Sequence, residues 1–287
     1  MSSLNLFVPD AAQSDVVIVD TKHPAPGIDL PELWRYRELI WILALRDITV
    51  RYRQTVVGIA WTVLQPLALM IALGLFKQMI VGAPTAGPVP DSLSMLCGLV
   101  LYQLFAGIIT ASTLCLVDNR QMLTKVYFPR LVLPLAASLR PAVDFGIGIL
   151  VLAAMMCWFQ VVPPVTVLLA PVFVLMTGLV GLALGMWLSA LNAHYRDFGH
   201  LVPFSLQLGL IISPIASSAA AISGTWRWLY FINPMAAFIE CFRWATLGTG
   251  TFPGWIELMI SAAMAVFLFV TGAWYFRRVD RFLADSI

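Results

Sequence analysis

An all-helical, polytopic membrane protein is the fold class that this 287-residue sequence predicts, and three observations carry the prediction. Sixty percent of the residues are hydrophobic, only 11% are charged, and the mean hydropathy is +0.88. Soluble domains carry about a quarter charged residues, so this chain lacks the polar side chains to cover a water-facing exterior. Six apolar stretches, at about 56–80, 93–117, 135–160, 165–191, 201–222 and 256–276, are long enough to be spans; roughly 20 helical residues cross about 30 Å of hydrocarbon. Finally, lysine and arginine fall on alternate connections. Lys22, Arg35, Arg37, Arg46, Arg51 and Arg53 precede the first span, and Arg120, Lys125, Arg130 and Arg140 lie between the second and third. Arg196 lies between the fourth and fifth, and Arg277, Arg278 and Arg281 follow the sixth, while the other connections hold only Arg227 and Arg243. This asymmetry predicts both termini in the cytoplasm.

The elements follow in order. Residues 1–31, with Pro24, Pro26 and Gly27, hold no sustained apolar core, which argues against a signal peptide and for a flexible cytoplasmic tail. Residues 32–54 read as a helix lying in the membrane interface, with Trp34, Ile40, Trp41, Leu45 and Ile48 on one face and Arg35, Glu38, Arg46 and Asp47 largely elsewhere. Lys77, near the far end of the first span, is expected to snorkel. Only Val161–Pro164 separates the third span from the fourth, so the two predict a tight helical hairpin. Pro66, Pro171 and Pro214 predict kinks or breaks, because each removes a backbone donor. Residues 223–255 are too long for a turn and too apolar for an exposed loop, and Asn233-Pro234 splits them into halves too short to span. They predict a re-entrant outer hairpin holding Trp228, Tyr230, Asn233, Pro234, Glu240 and Arg243, with the last two spaced to pair on one helical face.

Several chemistries are missing. No GxxxxGK[ST] loop, HExxH or GxSxG motif occurs, so neither a nucleotide cradle nor a familiar hydrolase centre is expected in this chain. Cys97, Cys115, Cys157 and Cys241 form no CxxC pair and read as small apolar side chains rather than as disulfides or metal ligands. His194 and His200 flank Tyr195-Arg196-Asp197, a polar turn between the fourth and fifth spans. Asp144 is expected to pair locally with Arg140. The spans lack the series of buried acids that a proton-coupled carrier needs. The sequence is rich in aromatic residues, with 10 Trp, 17 Phe and 7 Tyr. Aromatic faces give broad apolar contact suited to sugar rings, and Trp61, Tyr102 and Phe105 are the expected lining of a path.

Four phrases in order carry a family resemblance: RDITVRYRQTVVGIAWTVLQPLALM, NRQMLTKVYFPRLVLPLA, LSALNAHYRDFGHLVPF and INPMAAFIECFRWATLG. With six spans and inside termini, they resemble the membrane subunit of ABC exporters for bacterial cell-surface polysaccharides such as O-antigen, capsule and teichoic acid. The resemblance covers most of residues 32–280. It implies a non-enzymatic transport subunit of the bacterial inner membrane, paired with a second copy and with two nucleotide-binding ATPase subunits that hold ATP and Mg. It also implies a coupling helix within the stretch of Leu123, Lys125, Tyr127, Phe128 and Arg130 docked on the ATPase, with Tyr195, Arg196 and Asp197 as a second contact. The implied cargo is an undecaprenyl-linked polysaccharide whose pyrophosphate Arg51 and Arg53 would attract. No cofactor in the chain itself and no nucleic-acid partner are expected. An ABC exporter of a drug or a lipid is the alternative, and a membrane-embedded glycan-modifying transferase is a more distant one.

Overall fold

The computed structural model describes residues 30–53, 60–81, 89–126, 128–215, 230–249 and 252–286, and these are all-helical. The expected tail thus lies outside the described residues except for its last two, which open the first helix. That helix, Leu30–Arg35 (α1), is followed by Arg37–Arg53 (α2) across the single turn residue Tyr36. Next come Ala60–Val81 (α3), Asp91–Asp118 (α4), the one-turn Arg120–Leu123 (α5) and Val132–Trp158 (α6). A 3₁₀ turn at Val165–Leu169 leads into Ala170–His194 (α7), followed by Phe198–Ile212 (α8), Pro234–Leu247 (α9) and Trp255–Ser286 (α10).

Five of these are long and apolar enough to cross a membrane: α3, α4, α6, α7 with its 3₁₀ turn, and the Trp255–Arg278 part of α10. The fifth expected span differs. Helix α8 starts at Phe198 and ends at Ile212, which at 1.5 Å per residue falls short of the hydrocarbon thickness. It stops just before Pro214, as the restriction on residues preceding proline dictates, and residues 216–222 lie outside the described ones. Pro171 sits in the first turn of α7, where no hydrogen bond is lost, so the kink expected there is absent. Pro66 does lie within α3.

Helix α4 is the axis of the molecule, packing against α3, α6, α7, α8 and α9. Small residues permit the close approaches. Gly181 and Gly185 of α7 lie against Ile108 and Ser112 of α4, and a Cβ at 185 would meet the Ser112 Cβ at 2.5 Å. On the other side of α7, a Cβ at Gly272 of α10 would meet the Ala183 carbonyl at 2.6 Å. Membrane helices associate through such small-residue contacts, because lipid supplies no hydrophobic drive between them.

The lead-in helix carries two apolar stripes rather than one. Leu43 and Ala44 are buried, and Leu33, Tyr36, Leu39 and Ile40 pack on the same cluster. Trp34 and Trp41 of the expected stripe point outward, at 70% and 57% exposure. One stripe therefore seats α2 on α6, and the other is left to the surroundings. Lys77 donates to Asp91 at 2.9 Å, tying the end of α3 to the start of α4 instead of reaching outward. Cys97, Cys115 and Cys241 are buried free thiols, and Cys157 is an exposed one on α6.

Candidate functional site

The candidate site lies at the end of the bundle where α4 finishes and α6 begins. The junction is built by Asn119, which is buried. Its Nδ2 donates to the Cys115 carbonyl at 2.9 Å, closing the last turn of α4. Its backbone carbonyl accepts from Met122 and Leu123, which opens α5. After α5 the chain turns through Thr124 and Lys125, whose N–H groups donate to the Arg120 and Met122 carbonyls. Lys125 and Val126 are exposed, Val126 at 55%. Leu123 is half-buried, and Arg130 is likewise half-buried at the entry to α6.

Phe128 departs from expectation. It is only 4% exposed and belongs to the same buried cluster as Leu43, Cys115, Leu131 and Val132. A phenyl ring held in the protein's own core is not offered to another subunit, so its expected role as a docking anchor is replaced by an internal one: it pins the turn to the body. Tyr127 lies outside the described residues.

The second predicted contact segment is brought to the same end. Asn192 donates to the Thr113 carbonyl at 3.1 Å, and Cys115 lies 3.6 Å from Ser189, so the ends of α4 and α7 run side by side. Tyr195, Arg196 and Asp197 follow as an exposed turn, Tyr195 at 64%. Asp197 begins α8 through its backbone carbonyl, which accepts from His200 and Leu201, while its side chain makes no cap.

Beside these turns, α2 is fastened by ions. Arg46 bonds Asp47 at 2.8 Å and also donates to Asn119 Oδ1 at 2.8 Å. Arg51 pairs with Asp144 at 3.1 Å, and the Tyr52 hydroxyl donates to the same carboxylate. Asp144 is therefore held by α2, not by Arg140 as its spacing suggested; among the described residues the buried Arg140 Nε has no hydrogen-bond partner. Burial, followed by the bond to Asp144, pushes the Tyr52 hydroxyl above its ordinary value of 10.0. Arg53 is exposed. Asn119, Tyr52 and Asp144 were missed as partners; only Asn119, an Asn at the end of an apolar run, carried a readable helix-stop signal.

The expected path residues are dispersed. Trp61 is 60% exposed on α3. Tyr102 and Phe105 are core residues, 3% and 8% exposed, with ring centroids 5.8 Å apart. The Tyr102 hydroxyl donates to the Leu206 carbonyl of α8. They border a cavity of about 290 Å³ with Gly209, Ser213 and Asn233, and their rings are themselves packed in the protomer core. Asn233 caps α9, its Oδ1 accepting from Met235 N at 3.1 Å, and Pro234 fills the first helical position. Glu240 and Arg243 pair as their spacing predicted, at 3.5 Å, and both are 3% exposed. Tyr230 is half-buried just ahead of α9. Trp228, with the rest of 223–229, lies outside the described residues. Among the described residues no group of His, Cys, Asp or Glu is placed to hold a metal.

Residues 38–247 match the family model described as ABC-2 type transporter. The chain belongs to this family. An O-antigen export system permease protein RfbA from Myxococcus xanthus is 27% identical over 259 residues, covering 89% of this chain and 98% of that protein. Two proteins of the same name from Klebsiella pneumoniae are 27% and 26% identical over 209 residues, covering 72% of this chain and 79% of each. For this ABC-2 protein, the matched stretch runs from the start of α2 to the end of α9 and so contains both exposed turns.

Proposed function

We propose that this chain is the membrane-spanning subunit of an ATP-driven exporter that moves a lipid-linked cell-surface polysaccharide, of O-antigen or capsule type, across the bacterial inner membrane. The observation that carries this reading is family membership together with relatives named as O-antigen export permeases, one of them matched over 98% of its length. In this reading the termini are cytoplasmic, as the lysine and arginine distribution requires. Two copies enclose the passage, and the exposed apolar side chains Trp61, Leu64, Ile71, Leu75 and Phe76 of α3 leave a face on which a second copy can pack. Hydrolysis belongs to two separate ATPase subunits carrying ATP and Mg.

The turns at 124–126 and 195–197 would receive the push from the ATPase. With Phe128 committed inward, the exposed apolar groups offered for docking among the described residues of the two turns are Val126 and Tyr195, flanked by Lys125 and Arg196. Few residues dominate such contacts. Val126→Asp combined with Tyr195→Asp is therefore expected to abolish co-purification of the ATPase while the membrane subunit remains monodisperse. Undiminished co-purification and export in the double variant would remove the docking assignment.

A further inference from the structure

A cavity of about 630 Å³ opens among α2, α4 and α6, lined by Arg46, Asp47, Arg51, Asp118, Asn119 and Arg140. Its size is within the roughly 300–1,000 Å³ of small-molecule sites. Two of its arginines are already engaged: Arg46 by Asp47 and Asn119, and Arg51 by Asp144. Arg140 and Asp118, of opposite charge, complete the polar lining. Among the described residues the buried Arg140 Nε finds no hydrogen-bond partner, and a buried donor left unmet is costly. Asp118 lines the same cavity as Arg140, and among the described residues no hydrogen bond or ion pair of its carboxylate is seen.

These leftovers define a ligand. A simple anion would satisfy Arg140 but face Asp118 and Asp47; a simple cation would satisfy Asp118 but face three guanidinium groups. A zwitterion with a phosphate and a primary ammonium satisfies both. The remaining wall, Val50, Ala111, Leu114 and Ala137, is apolar, which suits a glycerol backbone and the start of acyl chains. Trp34 and Trp41, exposed on the same lead-in helix, are residues that favour headgroup depth.

We propose that this cavity binds a phospholipid headgroup of the phosphoethanolamine type, with its phosphate on Arg140 and its ammonium on Asp118. Such a lipid bridges α4 and α6 beside α2 and next to the turn at Asn119. The assignment rests on the chain being embedded in a membrane and does not depend on the cargo.

The test uses the delipidated full chain titrated with short-chain phosphatidylethanolamine, phosphatidylglycerol or phosphatidylcholine, with bound lipid counted by native mass spectrometry. Phosphatidylglycerol lacks the amine, and phosphatidylcholine has an amine that cannot donate a hydrogen bond. Phosphatidylethanolamine is expected to bind about tenfold more tightly than either, the worth of one charge-assisted hydrogen bond. Asp118→Asn should erase that preference, and Arg140→Gln should weaken all three lipids, with Arg140→Lys recovering part of the loss. Inorganic phosphate should not displace the bound lipid. Equal binding of the three lipids by the unsubstituted chain, which requires no variant to fold, would overturn the proposal. So would displacement by inorganic phosphate, or a preference that survives both Asp118→Asn and Arg140→Gln.

Discussion

Ions are held in opposite ways at the two ends of this bundle. On α9, Glu240 and Arg243 are each 3% exposed, and the guanidinium also donates to the carbonyls of Ser94, Pro214 and Ile215. One side chain thereby fastens α9 to the first turns of α4 and to the chain just beyond α8. Around α2 the ions are half in water: the Arg46 and Arg51 side chains are 46% and 43% exposed. The first arrangement leaves no room for rearrangement without exposing a charge to an apolar interior. The second can exchange partners at little cost, and it lies beside the exposed turns. The contrast teaches that burial, rather than the number of ion pairs, decides which end is rigid.

The largest expected effect comes from the buried end. Arg243→Ala removes the guanidinium from the buried Glu240 carboxylate and strips three carbonyls of a donor, and breaking such buried pairs costs about 3–5 kcal/mol. Thermal unfolding in detergent should show a large loss of stability. Combining Glu240→Leu with Arg243→Met should recover only part of it, because the carbonyls of Ser94, Pro214 and Ile215 remain unmet. Full recovery would show that the charge balance, not the three-way fastening, carries the effect.

At the other end Arg51→Met is expected to cost no more than about 1 kcal/mol, since a half-exposed pair gains little in high dielectric. That difference should shrink further in high salt, whereas the Arg243→Ala loss should not, because buried charges are screened less. Equal salt dependence at both ends would erase the distinction drawn above.

The smallest effect concerns Tyr52. Its hydroxyl is raised above 10.0 by burial and then by the bond to Asp144. The native state thus favours the neutral phenol. This contribution is fully present below pH 10 and is lost as pH rises through the higher native value. Tyr52→Phe should accordingly flatten the alkaline end of a stability–pH profile; an unchanged profile would show that Tyr52 contributes nothing to it.

The Asn233-Pro234 start of α9 is present because it is a short-range statement, the Asn side chain capping the helix that Pro234 opens, whereas the short link at 161–164 joins α6 to α7 without making them a tight pair, since each packs chiefly on α4. The Glu240–Arg243 pair was equally readable, since one helix sets residues three apart side by side. The same logic failed at Arg140 and Asp144. A helix makes that pair possible, but α2 arrives with Arg51 and Tyr52, and Asp144 turns to them. Phe128 failed for a related reason. A ring beside prolines in a basic turn reads as a docking group until Leu43 and Val132 are found to enclose it within one cluster.

Composition and the spacing of apolar and basic residues were enough to establish a helical membrane protein, the location of most of its spans and the positions of its turns. Hydrocarbon forces every backbone group to be satisfied within its own segment, so that information is local. Which face of α2 meets the body, which arginine holds Asp144, and where Phe128 and Arg243 point depend on the contact of helices far apart along the chain. Only the tertiary packing brings such partners together: α2 onto α6, where Arg51 meets Asp144, and α9 onto α4, where Arg243 meets Ser94.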